Sequence, residues 1–364
     1  MMKKWLLSLC MALSLSACDN KKADETVQAE DKPIIKIGAI LPLSGDLAVW
    51  GNSEKQGLIL AKENLPTKLK NNYELIIEDS SNANKSIQHL AQKMISVDKV
   101  DAIITMFDPA ANIVGPMATT NKIIHFGQSW FPQYVTDKYN YNVYADMKEE
   151  ARLIANYLAS KKIKKVFLFT VNQTGFIGGT DILKQLLEKQ KIEYKETTFN
   201  FGQTDFRTDI VKAQSFEAEA YIIGAFAPEA DILTKQLKQI NGKDIVITGL
   251  DLGLNIANKS LYEGSVFGSP AIPNKFFLKN YQTKYTDENY LFGATVGYVS
   301  FNAIVHAFEN SQTRDKSLVA EFLYSNDKIS TIYEENITKD KGLIYIPSKL
   351  LTITQDKLIT FKEE

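Results

Sequence analysis

The segment from Ile34 to Glu63 constrains the fold most tightly. It opens with Ile34, Ile35, Ile37, Ala39, Ile40 and Leu41, apolar at both parities, as a strand buried on both faces requires. Pro42-Leu43-Ser44-Gly45 follows as a turn, with Gly45 free to take backbone angles that other residues resist. After Gly51 the apolar spacing changes: Leu58, Ala61 and Leu65, with Ile59 alongside, recur at helical intervals. Strand, loop and helix in that order make the first unit of a doubly wound α/β sheet, whose ligands sit beyond the carboxyl ends of the strands. Trp50 stands in that loop, placed to lie against a bound molecule.

The same alternation continues. Strands are expected at 73–79, 101–105 and 122–126, separated by helices at 84–97 and 111–120; Ile87, Leu90, Ala91, Met94 and Ile95 line one face of the first of these helices. Four strands with intervening helices favour parallel pairing. Residues 139–146 lead out of this unit, and the pattern restarts with strands at 165–170, 192–199, 220–224 and 244–248 between helices at 149–160, 179–190, around Ile210, and 229–240. Residues 266–273 read as a crossing back. Helices at 275–285, 292–309 and 317–323 follow, then short strands at 342–346, 350–354 and 358–361. A chain of 364 residues exceeds what one core usually supports, so two lobes are expected. The fold class is α/β, two doubly wound parallel-sheet lobes joined by a hinge of several crossings, suited to closing over a ligand.

The opening segment resembles that of the type I periplasmic binding proteins, in particular the leucine/isoleucine/valine-binding branch that serves ABC transporters. The resemblance is carried by Ile35-Lys36-Ile37-Gly38, Pro42-Leu43-Ser44-Gly45, Trp50-Gly51 and the Gly57 to Ala61 spacing, and the later segments keep the family's order. The expected organisation is a lipoprotein signal peptide over 1–17, a lipid-anchored tether over 18–33, lobe one over 34–145 and 271–327, and lobe two over 146–270. Residues 328–364 are expected to supply C-terminal strands of lobe two and the hinge.

The N-terminus points to a compartment. Lys3 and Lys4 precede an apolar run, Trp5 to Leu15, too short to span a bilayer. It ends in Leu15-Ser16-Ala17-Cys18, which resembles a bacterial lipobox and implies lipid attachment at Cys18. Asp19 resembles the retention signal of inner-membrane lipoproteins. The expected location is the periplasmic side of the inner membrane, or the cell surface in a Gram-positive host. Cys10 and Cys18 are the only cysteines, so the mature domain has neither disulfide nor thiol nucleophile. The net charge of −1, with lysines interleaved among acids, argues against nucleic acid as a partner.

The loops after the strands hold the candidate ligand residues. Where the family offers Ser or Thr after the third strand, this chain has Asp108-Pro109-Ala110. Asp108 fits either a helix cap or a ligand contact. By analogy Gln128 and Ser129 follow the fourth strand, with Ser129 expected on the side of a ligand carboxylate and Trp130 beside it. Thr174 precedes Gly175 where the family often has an aromatic-Gly pair, and Phe176 is close by; Gly175 also suits a tight turn. Phe226 is a candidate far wall. Asp251, between Gly249 and Gly253, stands where the family sets an acid against the ligand's ammonium. Phe292 is a further aromatic candidate. Arg152, Arg207 and Arg314 fall in helical stretches, which argues against a dianionic ligand.

These features imply a solute-binding lipoprotein that captures a small polar solute, amino-acid-like or amine-bearing, and delivers it to the membrane permease of an ABC transporter. A ligand-sensing or partner-binding lipoprotein of the same fold, docking on a membrane sensor, is the alternative. His89, His125 and His306 stand alone, and neither a Gly-x-Ser-x-Gly elbow nor a paired-His metal motif is present. No enzymatic activity, cofactor or metal is expected.

Overall fold

A computed structural model describes residues 32–242, 245–256, 258–285, 290–329, 331–334 and 336–362. The expected signal peptide, Cys18 and the tether as far as residue 31 lie outside the described residues. The first lobe is built on β1 (Ile34–Leu41), α1 (Ala48–Glu63), β2 (Asn72–Asp79), α2 (Asn84–Lys93), β3 (Ala102–Thr105), α3 (Phe107–Asn121), β4 (Ile124–Gly127) and β5 (Asn140–Ala145). A π-helical turn, Met94–Asp98, extends α2. The second lobe follows with α4 (Met147–Ser160), β6 (Lys165–Val171), α5 (Thr174–Lys189), β7 (Glu193–Phe199), α6 (Arg207–Ser215), β8 (Ala220–Gly224), α7 (Glu229–Asn241), β9 (Val246–Gly249) and β10 (Val266–Pro270). The chain then forms α8 (Lys275–Lys284), α9 (Leu291–Asn310), α10 (Lys316–Ser325), β11 (Thr338–Asp340), β12 (Leu343–Ile346), β13 (Ser348–Thr354) and β14 (Lys357–Thr360).

The strands form a seven-stranded sheet in the order β11-β12-β5-β4-β3-β1-β2, a four-stranded sheet β7-β6-β8-β9, and a three-stranded sheet β10-β13-β14. Every pair in the first two sheets is parallel except β11 with β12, and the third sheet is antiparallel. Burial on both faces explains the continuous apolar run of β1. Ile37, Ala39 and Leu41 enter the core under α1 and α9, while Ile40 joins Ile87, Ala91 and Met94 of the α2 side. In both main sheets the first strand of the unit, β1 or β6, is flanked by the second and third, leaving a crevice at the switch point.

Helix α9 is long and apolar enough to cross a membrane, yet it is buried along almost its whole length as a core helix. It lies close against α1: a Cβ on Gly57 would overlap the Ala294 carbonyl oxygen, and one on Gly297 would sit 2.7 Å from the Glu54 carbonyl oxygen.

Three differences from the sequence reading bear on the site. Helices α3 and α5 begin at Phe107 and Thr174, several residues before the expected 111 and 179. The stretch 139–146 is not only an exit, since its β5 is a strand of the seven-stranded sheet. Residues 328–364 do not act as one block either. β12 pairs in parallel with β5 of the first lobe, whereas β13 pairs with β10.

Candidate functional site

The carboxyl ends of both main sheets face one cleft of about 240 Å³. The loops after β1, β2, β3, β4, β6, β7 and β8 contribute to it, whereas the loop after β9 does not. Trp50 comes from the first turn of α1, Asp108 from the start of α3, Gln128 to Trp130 from the loop after β4, and Tyr144 from β5. From the second lobe come Gln173 and Phe176 at the start of α5, Phe201 after β7 and Phe226 after β8.

Aromatic rings dominate the walls and meet across the two lobes. Trp50 lies 5.4 Å from Phe226, centroid to centroid, and 5.1 Å from Tyr290. Trp130 meets Phe176 edge-on at 4.6 Å, and Phe176 meets Phe226 at 4.7 Å. Tyr144 stands 6.0 Å from Trp130 and 4.9 Å from Phe292 behind it. Tilted and edge-on pairs at these separations are the favourable arrangements for rings. The approach of Trp130 requires a glycine: a Cβ on Gly175 would overlap the indole, and one on Gly178 the Phe131 ring. Gly175 therefore serves close packing inside a helix rather than a tight turn.

The polar groups are few and mostly acidic. Asp108 lies in the first turn of α3, whose N-cap is Met106, so it is not the cap. Its Oδ1 accepts a very short hydrogen bond from the Ser129 hydroxyl, and burial pushes its carboxyl above the ordinary aspartate range despite that bond. The Ser129 Oγ in turn accepts the Phe131 N–H at 3.0 Å, while the Ser129 N–H donates to Asn142 Oδ1 at 2.8 Å. Phe107, at the mouth of the same helix, holds a φ of +67°, a strained backbone for a bulky residue and of a kind that clusters at ligand sites.

Behind the walls lie further carboxyl groups. Glu54 of α1 is fully buried, and burial raises its pKa from the ordinary 4.5 to about 8. The Gln128 side-chain amide is its polar neighbour and opposes the rise, although no bond between them meets normal hydrogen-bond geometry. Asp251 is sealed beneath Tyr144, whose hydroxyl donates to Asp251 Oδ2 at 2.6 Å. The Asp251 N–H donates to Glu150 Oε2 at 2.8 Å, and Asn255 Nδ2 donates to the Asp251 carbonyl at 2.9 Å. Burial lifts Asp251 to about 7, against the pull of the Tyr144 hydroxyl and Trp130 indole, and raises Glu150 with help from the Asp251 charge.

Of the residues picked from sequence, Trp50, Asp108, Gln128, Ser129 and Phe226 line the cleft together. Thr174 does not. The helix starts there, and the side chain points to solvent while its neighbours Gln173 and Phe176 turn inward. Asp251 does not face the cleft either, because Tyr144 and Trp130 stand between. Phe292 packs behind Tyr144 rather than on the wall. The residues missed were Leu47, Asn82, Phe107, Tyr144, Gln173 and Phe201. All but Tyr144, which lies within β5, carried the signal of following a strand. His125, by contrast, is a core histidine. Thr105 Oγ1 and Asn140 Oδ1 bond its two nitrogens at 2.8 and 2.9 Å, and burial lowers its pKa to about 4.

This architecture has known counterparts. It is similar to a leucine-binding protein, LivK, of Thermotoga maritima, with 22% identity and a TM-score of 0.76 over 90% of this chain and 98% of that one. LivJ of Streptococcus pneumoniae, solved with isoleucine, matches at 20% identity and a TM-score of 0.76 over 89% and 97%. A solute-binding protein of Rhodopseudomonas palustris, solved with 3,4-dihydroxybenzoic acid, matches at 19% identity and a TM-score of 0.79 over 90% and 96%. No curated protein sequence matches the chain. The family model described as "Periplasmic binding protein" covers residues 34–349, and the chain belongs to that family.

Proposed function

We propose that this periplasmic binding protein captures a small solute, amino-acid-like or amine-bearing, in its interlobe cleft and delivers it to the membrane permease of an ABC transporter. The observation that carries this reading is the cleft itself. Strand ends of both lobes converge on it, rings from the two lobes touch across it, and its volume of about 240 Å³ lies just below the ~300–1,000 Å³ of sites for drug-sized ligands. Trp50 and Phe226 would exclude water from the solute, while Asp108, Gln128 and Ser129 would set the polarity of one wall. Thr174 and Asp251 would act only indirectly. The Leu15-Ser16-Ala17-Cys18 sequence supports lipid attachment at Cys18, holding the protein at the membrane beside its permease. One acylated cysteine with several chains is enough for stable anchoring.

Thermal unfolding of the full-length protein in detergent, with amino acids, amides, amines and small carboxylates added in turn, tests solute capture. A true solute at about 100 times its Kd adds about 2.7 kcal/mol of stability. Trp50→Ala should abolish the shift. Cooperative unfolding that no class of compound shifts would overturn the reading.

A further inference from the structure

We infer that the solute is an organic cation without a carboxylate, held with Asp108 as its counter-ion inside the aromatic walls. This rests on the solute-capture reading and narrows it to one chemical class.

The N-terminus of α3 opens onto the cleft, and a helix N-terminus ordinarily attracts an anion through its free amides and dipole. In this chain that end is reversed in character. Asp108 at the second helical position supplies a carboxylate, and Pro109 at the third has no N–H to give. Beside that helix end Ser129 has both of its donors committed: the hydroxyl proton goes to Asp108 and the N–H to Asn142. Among the described residues no lysine or arginine lines the cleft. A carboxylate entering it would meet a like charge and find neither of these donors free.

A cation meets the opposite conditions. Asp108 is desolvated with a hydroxyl as its one side-chain partner, so a positive group beside it would relieve an unfavourable burial. The rings of Trp50, Trp130, Tyr144, Phe176 and Phe226 line the cleft, and aromatic rings attract an ammonium or substituted ammonium group more strongly when water is excluded. Among the described residues the Nε1 of Trp50, the Nε1 of Trp130 and the Nε2 of Gln128 are buried without a hydrogen-bond partner, and a hydroxyl or ether oxygen on the solute would satisfy one of them.

The test is isothermal titration of the full-length protein with choline, phenethylamine and putrescine as cations. Leucine serves as a zwitterion, benzoate as an anion, and 3,3-dimethyl-1-butanol as the uncharged isostere of choline. The expected result is binding of at least one cation, with leucine and benzoate at least tenfold weaker. The cation should also bind at least tenfold more weakly to Asp108→Asn. If that variant does not fold, the preference of the unaltered protein for choline over its uncharged isostere, or for phenethylamine over phenethyl alcohol, decides the same point. Tightest binding of leucine or benzoate, or a cation bound equally by Asp108→Asn, would overturn the inference and leave solute capture standing. No binding of any class to the folded protein would overturn solute capture itself.

Discussion

Replacing Glu54 by glutamine should remove most of one pH-dependent loss of stability. Glu54 sits on the inward face of α1, pressed against α9, where a Cβ on Gly297 would come within 3.0 Å of its Cγ. Among the described residues neither carboxyl oxygen has a hydrogen-bond partner, so the charged form is strongly disfavoured. The pKa goes from 4.5 to about 8. At about 1.4 kcal/mol for each pH unit, ionising it in the fold costs about 5 kcal/mol, against a typical total stability of about 5–15 kcal/mol. Because the folded pKa is raised, the folded protein keeps a proton that the unfolded chain releases above about pH 4.5. Stability therefore falls as pH rises from there and levels off above about pH 8. Urea unfolding at about pH 5.5 and about pH 8.5 should show the unaltered protein losing about 3 kcal/mol from this group across that interval. Glu54→Gln, a neutral match for the protonated acid, should lack that share of the loss. The Glu150 and Asp251 carboxyls, also raised, add a loss of the same sign in both proteins, so the difference between the two slopes isolates Glu54. Parallel pH profiles would refute the reasoning.

Two further changes probe the frame around the cleft. Tyr144→Phe removes the hydroxyl that spans from β5 of the first lobe to the buried Asp251 of the second. It should cost about 1–3 kcal/mol in urea unfolding, and an unchanged midpoint would show that Asp251 finds another donor. Gly57→Ala drives a Cβ into the Ala294 carbonyl of α9. The helices must separate, at about 1–3 kcal/mol, and a melting temperature equal to that of the unaltered protein would mean that this interface is slack.

What the sequence determined by itself was the order and kind of the elements. The double parity of β1 announces a strand covered on both sides, and Ile87, Ala91 and Met94 on α2 announce the helix that covers one of them. Both signals are local, because a buried face writes its periodicity into consecutive residues. The loops after each strand were legible for the same reason, which is how Trp50, Asp108, Gln128, Ser129 and Phe226 were found. The early starts of α3 and α5 were not legible. Phe107 and Phe176 turn their side chains to the cleft while Thr174 and Gly178 sit beside them without any shared core face, so the first turns carry no regular apolar spacing.

The tertiary structure alone decided which loop residues reach the ligand space. Asp251 has the composition of a ligand carboxylate, but Tyr144 and Trp130, more than a hundred residues earlier, close over it. Gly175 has the composition of a turn, yet its lack of a side chain accommodates an indole from the other lobe. The C-terminal strands divide between β5 and β10 by pairings that no local pattern encodes. In each case the deciding contact joins segments far apart in the chain, and periodicity records only whether a residue is buried, not what buries it.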